Sequence, residues 1–279
     1  MKKLLLAATV ALTGLSAQAT VLTFNDFSST AGLQLNGSAA APVVTGDGSV
    51  LRLTPALSGQ GGSAFSTNQI SLLNNASFST YFQFRITGSD GAGDEDGAGA
   101  DGLAFVVQTI DNNVGGVGGG MGYAGINRSV AVEFDTYNNG EISGNHVGID
   151  LNGSVNSVAS LAIAPRMNNG AIWYSWVDYN GTTNALEVRL SQVDVRPTAA
   201  ALAYNVNLAG SGVLNQTSAY VGFTAATGAG WGNHDILKWE FRDTFNPVGA
   251  PDTAATIGLI GLGFAALVAA RRRQLAVRR

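Results

Sequence analysis

Apolar and polar residues alternate along much of this chain, and turns rich in glycine and asparagine separate the alternating stretches. In residues 78–86, for example, Phe82 and Phe84 alternate with Gln83 and Arg85. Because successive side chains of a strand point to opposite faces, this pattern predicts a strand with one apolar face and one polar face. We therefore expect antiparallel sheets that are buried on one side.

Turn residues extend this prediction to the whole central region. The chain has 37 glycines, which form tight turns at little steric cost. Asn180-Gly181 lies between alternating stretches at residues 173–179 and 186–190, as a hairpin turn does. No amphipathic helical pattern is evident in residues 20–247. We predict a single all-β sandwich domain over that range.

Composition excludes several classes of function. The chain has no cysteine, which excludes disulfides, thiol nucleophiles and cysteine-ligated zinc. Seven of its 15 basic residues lie in the first three and last nine positions, so eight remain elsewhere against 19 acidic residues. Nucleic-acid binding requires Lys and Arg for phosphate contacts, so we expect no nucleic-acid partner. Hard cations and neutral ligands suit an acidic domain better.

The N-terminus has the pattern of a secretory signal peptide, which we predict over residues 1–19. Lys2 and Lys3 are followed by an apolar stretch and by a small-x-small cleavage site that ends at Ala19. The apolar stretch is short for a bilayer span, although an uncleaved membrane anchor is the alternative.

The C-terminal segment, residues 248–279, has three parts. Pro251-Asp252-Thr253 precedes a nearly uninterrupted apolar run at residues 254–270, and three arginines follow. The run is near the lower length limit for a transmembrane helix, and the arginines favour a cytoplasmic end. This tail resembles the PEP-CTERM type of bacterial sorting signal, which an exosortase-type enzyme processes; a permanent membrane anchor is the alternative. Both imply export to the cell surface or extracellular matrix.

A carboxylate-rich strand and loop form the most informative segment, residues 130–152. Glu133 and Asp135 are two residues apart and share one strand face, so they repel unless a cation or proton lies between them. The Asn- and Gly-rich turn that follows offers closely spaced oxygens, which Ca²⁺ prefers. His146 adds an imidazole, and carboxylates with an imidazole suit a transition metal such as Mn²⁺.

This segment resembles the metal-binding segment of the legume-type (L-type) lectin family. The family's strand reads Val-Glu-Phe-Asp-Thr-Tyr/Phe-x-Asn, and its loop ends in His-Val/Ile-Gly-Ile-Asp; this chain matches both parts. The resemblance implies a concanavalin-like jelly-roll β-sandwich of antiparallel sheets. It also implies that Glu133, Asp135 and His146 hold the transition metal. Calcium would be held by Asp135, the Tyr137 carbonyl and Asn139. The loop lacks the family's bridging Asp, which leaves Glu141 as its available acid.

Three further matches imply a carbohydrate site. Residues 99–105 resemble the family's Ala-Asp-Gly segment, in which a cis peptide bond precedes the sugar-accepting Asp, here Asp101. Residues 118–122 resemble the glycine-rich loop whose backbone N–H donates to the sugar, with Gly119 and Gly120 as candidates. By the same resemblance Asn139 donates and Tyr137 stacks on the sugar. The acids at 90 and 94–96 are expected to be solvated.

The last match lies at residues 220–237, where the family carries its final specificity loop. Trp231 fills that loop here, and we expect it to be either a sugar platform or a cap on the sandwich edge. The resulting hypothesis is a calcium-dependent lectin without catalysis, whose partners are glycans or exopolysaccharide. A structural surface or matrix protein that uses calcium as a staple is the alternative. A sandwich-type glycoside hydrolase is disfavoured, because Tyr137 and Asn139 occupy the region where a second catalytic Glu is needed.

Overall fold

A computed structural model describes residues 21–250. In this range the chain forms eighteen strands and one short 3-10 turn at Gly118–Gly120. The strands are β1 (Val21–Phe24), β2 (Leu33–Gly37), β3 (Ala40–Thr45), β4 (Gly48–Thr54), β5 (Gly61–Ser66), β6 (Ile70–Ser71), β7 (Phe78–Gly91), β8 (Gly93–Asp94), β9 (Gly97–Ala98), β10 (Gly102–Gln108), β11 (Ser129–Asp135), β12 (His146–Leu151), β13 (Ala159–Ala162), β14 (Ile172–Asn180), β15 (Ala185–Ser191), β16 (Leu202–Asn205), β17 (Ser218–Ala226) and β18 (Gly230–Arg242).

Two large antiparallel sheets form the sandwich. The back sheet has the order β16-β15-β14-β7-β18-β4-β3, with β1 also paired to β18. The front sheet has the order β13-β12-β11-β10-β17-β5-β2, with β6 also paired to β17. Strands β8 and β9 form a separate small hairpin. The predicted all-β antiparallel sandwich is confirmed.

Aromatic rings fill the space between the two sheets. Phe82 and Phe84 of β7 are both 0% exposed, as the alternation in residues 78–86 predicted. The ring of Phe82 lies 4.9 Å from Phe223 of the front sheet, and the ring of Phe84 lies 4.9 Å from Phe134. Each such ring contributes about 1.5–3 kcal/mol by burial, so these contacts fix how the sheets pack together. Phe134 is the residue between Glu133 and Asp135, which therefore point away from this core.

The predicted hairpin at Asn180-Gly181 is present, but its geometry differs from a two-residue turn. Four residues separate β14 from β15, and Asn184 takes the left-handed conformation at φ 58°. A Cβ on Gly181 would collide with the carbonyl oxygens of Asn75 and Ala76. Glycine is needed at position 181 because of this close backbone approach.

The central strands of the front sheet are buried on both faces, which simple alternation does not predict. Every residue of β10 and β11 is buried. The segment between these strands, residues 109–128, folds over the outer face of the sheet. It places Met121, Tyr123 and Ile126 against Phe65, Ala104, Val106 and Ala131. The side chains of β11 that point outward therefore lie under a loop, and this burial creates the environment of the candidate site.

The predicted signal peptide and nearly all of the predicted C-terminal segment lie outside the described residues. Between Val21 and Ala250, no helix has the length and apolar character required to cross a membrane.

Candidate functional site

The strand pair β11 and β12 brings the predicted metal ligands together. Asp135 lies opposite His146 in the antiparallel register, and Glu133 lies opposite Gly148. Side chains directly opposite each other share a face of the sheet. Glu133 and Asp135 are 0% exposed and His146 is 1% exposed, so all three functional groups are held beneath the covering loops.

Three of the predicted ligands converge on one point. One ligand atom each from Asp135, Glu141 and His146 lies within 4.8 Å of the other two. Asp135 Oδ2 and Glu141 Oε2 are buried and have no hydrogen-bond partner among residues 21–250. Burial raises the pKa of both carboxyls, and the negative charge of Glu133 raises them further. Two unpaired carboxylate oxygens beside an imidazole fit a divalent cation, which would compensate their burial.

His146 is held with one nitrogen toward this cluster. Its Nδ1 lies 2.8 Å from the carbonyl oxygen of Ser143, which can only accept, so Nδ1 carries the hydrogen. Its Nε2 lies 3.2 Å from Glu133 Oε1 and 4.0 Å from Glu141 Oε2. Burial alone lowers the pKa of His146, but the Glu133 hydrogen bond and the Asp135 charge outweigh it and raise the pKa to about 9. This orientation is that of a histidine ligand whose tautomer is fixed by a backbone carbonyl.

Glu133, unlike Asp135, is surrounded by hydrogen-bond donors. The Tyr123 hydroxyl donates to its Oε2, and the Ser157 hydroxyl donates to its Oε1 at 2.6 Å. Burial and the charge of Glu133 raise the pKa of neighbouring Asp150 to about 8, and Asp150 Oδ2 lies 2.9 Å from the Tyr123 hydroxyl. Asp150 thus holds the proton of this pair, and Glu133 remains ionised beside His146. Sequence reasoning did not identify Tyr123 or Ser157, because neither belongs to the matched segment.

Asp101 lies at the end of the front sheet, directly before β10 and next to Thr136. The Ala100–Asp101 peptide bond is cis, as the resemblance implied. The carbonyl oxygen of Asp101 accepts hydrogen bonds from the backbone N–H of Thr136 at 2.9 Å and from its hydroxyl at 3.2 Å. Thr136 follows Asp135 directly, so these hydrogen bonds connect Asp101 to the end of the strand that carries Asp135.

The side chain of Asp101 is buried and carries an acceptor oxygen that lacks a partner among the described residues. It is 5% exposed, and its Oδ2 has no partner within the described part of the chain. Burial raises the pKa of Asp101 to about 6. A buried acceptor without a donor costs free energy, and structures retain such groups chiefly where a ligand or ion satisfies them.

Glycines lie beside this carboxylate and beside Asn139. A Cβ on Gly228 would lie 3.4 Å from Asp101 Oδ2 and 3.7 Å from Gly118 Cα. A Cβ on Gly119 would lie 2.9 Å from Asn139 Nδ2. Asp101, Gly119 and Asn139, which were predicted from three separate motifs, therefore lie close together, and we call the surface between them the depression.

The glycine turn has backbone donors available to this depression. Gly118 N–H donates to the Thr227 carbonyl, and the carbonyl oxygens of Gly118 and Gly120 accept from Met121 and Tyr123. The hydrogen bonds that hold the turn thus use groups other than the Gly119 and Gly120 N–H. Both glycines remain candidates for the sugar donor.

Trp231 lies on β18 beside Gly91. A Cβ on Gly91 would be 2.5 Å from Trp231 Cζ3, so the ring covers that glycine. The preceding residue, Gly230, packs against Ala100, whose Cβ would lie 2.9 Å from a Cβ at position 230. Adjacent strand residues point to opposite faces. Gly230 therefore faces Ala100, the neighbour of Asp101, and Trp231 points to the other face of β18. A role for Trp231 as a sugar platform stays a prediction.

Comparison with known proteins identifies relatives of this fold and site. The family model of the legume lectin domain matches residues 19–256. An L-type lectin-domain containing receptor kinase VIII.1 of Arabidopsis thaliana is 32% identical over 210 residues, which cover 72% of this chain and 27% of the kinase. The chain thus spans little more than a quarter of that relative.

Solved structures with a similar fold are also lectins. Winged bean acidic lectin complexed with methyl-α-D-galactose has a TM-score of 0.67 and 26% identity, covering 82% of this chain and 100% of that one. The metal-free form of lectin I-B4 from Griffonia simplicifolia has a TM-score of 0.64 and 27% identity, covering 80% of this chain and 98% of that one. The family match spans most of the sequence and includes every residue of the depression and the carboxylate cluster. The chain therefore belongs to the legume lectin domain family.

Proposed function

We propose that this chain is a non-catalytic, metal-dependent lectin that binds a glycan in the depression beside Asp101. The observation that carries the proposal is the buried, unpaired Oδ2 of Asp101. Membership of the legume lectin domain family supports carbohydrate binding in general. The calcium dependence and the roles of individual residues are the specific content of the proposal.

The roles of the residues follow from their hydrogen-bonding capacity. Asp101 accepts from sugar hydroxyls, while Asn139 Nδ2 and the N–H of Gly119 or Gly120 donate. Tyr137, a half-buried residue two positions before Asn139, stacks on the apolar face of the sugar. We expect a monovalent dissociation constant of about millimolar to micromolar, or roughly −4 to −8 kcal/mol.

Two cations fit the residues of the neighbouring loop. Asp135, Glu141 and His146, together with Glu133, would hold a transition metal such as Mn²⁺. Asp135, the Tyr137 carbonyl and Asn139 would hold Ca²⁺. The bound ions supply charge compensation for the buried carboxylates. Asp135 and Thr136 then hold Asp101 in place through the Thr136 hydrogen bonds.

The proposed ligand is a neutral glycan, and galactosides are the first class to test. A similar solved lectin is complexed with methyl-α-D-galactose. The cell's own exopolysaccharide is a second source of the same chemistry. Export to the cell surface or matrix, with processing by an exosortase-type enzyme, is part of the proposal and is motivated by the terminal segments alone.

A glycan-array screen of the full chain tests this function. The screen is run with calcium and manganese, then with EDTA, and includes Asp101→Ala. Asp90→Ala is the matched control, because Asp90 is an exposed acid whose carboxylate bonds the N–H of Gly91. Binding that is lost with EDTA and in Asp101→Ala, but kept in Asp90→Ala, supports the lectin. A folded, metal-loaded chain that binds no glycan would favour the structural surface or matrix protein instead.

A further inference from the structure

An acidic hairpin, residues 93–98, precedes Asp101 and consists of β8, β9 and the turn between them. Charge and glycine content predicted solvated side chains here. Two of the carboxylates instead contact the loop that carries the metal ligands. Asp94 Oδ2 accepts a hydrogen bond from Asn138 N at 2.6 Å. Glu95 Oε1 accepts from Asn138 Nδ2 at 2.7 Å and from Gly144 N at 3.0 Å.

These bonds hold both ends of residues 138–144, which we call the metal loop. Asn138 and Gly144 are its first and last residues, and Glu95 bonds both of them. Hydrogen bonds to Asn138 and Gly144 also lower the pKa of Glu95, after the contribution of its own backbone N–H. Glu95 is thus ionised over the whole neutral range, and its bonds to the loop are charge-assisted.

Asn138 in turn restrains the residues that follow it, which include proposed metal ligands. Its Oδ1 accepts from the N–H of Gly140 at 2.8 Å and from the N–H of Glu141 at 3.2 Å. An asparagine oxygen bonded to the backbone two and three residues later fixes the turn that follows. The turn fixed here contains Asn139, which borders the sugar depression, and delivers Glu141 to the carboxylate cluster.

The hairpin also packs closely against the metal loop and against the sugar acceptor. A Cβ on Gly144 would collide with the Asp94 carboxylate, so a larger residue at position 144 would displace that carboxylate. At the base of the hairpin, Gly99 N–H donates to the Ala92 carbonyl at 3.0 Å, immediately before Ala100 and Asp101. The hairpin therefore joins the strand end that carries Asp101 to the loop that carries Asn139 and Glu141.

We propose that Asp94 and Glu95 are positioning residues that hold the metal loop ready to bind its cation. The proposal rests on the metal-dependent function proposed above. Glu141 and Asp135 are brought together although their negative charges repel, and a loop rich in Asn and Gly has little rigidity of its own. The acidic hairpin, a separate segment of the chain, supplies the restraint that this loop lacks. Partners that orient metal ligands in this way typically change metal affinity by about 10–100-fold when removed.

The test uses the metal-stripped full chain and four variants. Asp94→Ala and Glu95→Ala each remove carboxylate hydrogen bonds to the metal loop. Glu95→Gln keeps an acceptor oxygen without the charge. Asp90→Ala is the matched control, since it removes one negative charge from the same segment without touching the metal loop. Mn²⁺ and Ca²⁺ affinities are measured by titration calorimetry. Melting temperatures without metal and hydrogen exchange of the Asn138 and Gly144 amides are measured in parallel.

We expect Asp94→Ala and Glu95→Ala to weaken cation binding about 10–100-fold, with Glu95→Gln recovering part of the loss. Without metal, the melting temperatures of these variants should stay within about 2 °C of that of Asp90→Ala, because Asp94 and Glu95 lie outside the buried core. The Asn138 and Gly144 amides should exchange faster in both alanine variants. Affinities equal to that of Asp90→Ala would overturn the proposal, as would an equal loss in all of the variants.

Failure of the proposed function gives a different result. If the parent chain binds neither cation, the metal-dependent lectin is rejected, and a metal-positioning role is rejected with it. Hydrogen exchange then still decides whether the hairpin restrains residues 138–144. If the parent chain binds cations and glycan but the alanine variants bind as tightly, only the positioning role fails.

Discussion

Asp101 provides a direct test of whether the sugar depression is maintained at a cost to stability. Burial raises its pKa to about 6 in the folded chain, against about 3.9 in an unfolded chain. A raised carboxyl pKa means that the folded state prefers the protonated form. Above pH 6 the ionised Asp101 therefore opposes folding, and below about pH 4 it does not.

The magnitude follows from the size of the shift. One pKa unit corresponds to about 1.4 kcal/mol, so a rise from 3.9 to about 6 destabilises the folded state by about 3 kcal/mol at pH 8. Solvent screens this ionised carboxylate little, because Asp101 is only 5% exposed. Asp101→Asn removes the ionisation with little change in shape. The buried amide NH₂ adds a cost of about 1–3 kcal/mol that does not depend on pH.

The assay is urea unfolding of the parent chain and Asp101→Asn in EDTA, from pH 4 to pH 8. Relative to the parent, the variant should gain about 2–3 kcal/mol in free energy of unfolding across this range. It should also lose glycan binding, because an Asn amide group replaces the acceptor oxygen. A stability difference that is the same at pH 4 and pH 8 would refute the argument that burial of a charge at Asp101 opposes folding.

Two further predictions concern the metal cluster and the back-sheet hairpin. Cation binding should tighten about tenfold per pH unit between pH 6 and pH 8, because His146, with its pKa of about 9, must release a proton to bind metal. Calorimetry in buffers of different ionisation enthalpy measures that proton, and a pH-independent affinity contradicts the assignment. Gly181→Ala should destabilise the chain by about 2 kcal/mol or more, because the new Cβ meets the Asn75 and Ala76 carbonyls. Gly212→Ala, with no atom within 4 Å of its Cβ, is the matched control, and equal melting temperatures would argue against the steric reasoning.

Local sequence patterns predicted much of the fold and the main elements of the site. The alternation in residues 78–86 correctly assigned the inward face of β7, because side-chain direction along a strand depends only on position parity. The same rule placed Glu133 and Asp135 on one face, opposite Phe134. The matched motifs assigned Asp101 and Asn139 to one carbohydrate site, and the structure brings both residues close to the glycine turn at 118–120.

The structure departs from the sequence reasoning where a loop covers a strand. The outer face of the front sheet is buried by residues 109–128, so Tyr123 reaches Glu133 from another element. The acids at 94 and 95 were expected only to face solvent; Glu95 is indeed exposed, but both acids also accept hydrogen bonds from the metal loop. The local sequence around a charged loop residue does not reveal whether its hydrogen-bond partner is water or a distant backbone N–H.

The sheet class, the parity of β11 and the identity of its carboxylates depend on residues a few positions apart, so local sequence patterns predict them. The meeting of Glu141 with Asp135 and His146, and the hydrogen bond from Asn138 to Glu95 43 positions away, depend on how distant segments pack. Contacts of that kind depend on how loops of the front sheet and the acidic hairpin meet in space. They arise from hydrogen bonds and packing between segments that share no local pattern, so they become visible only after the sheets have packed together.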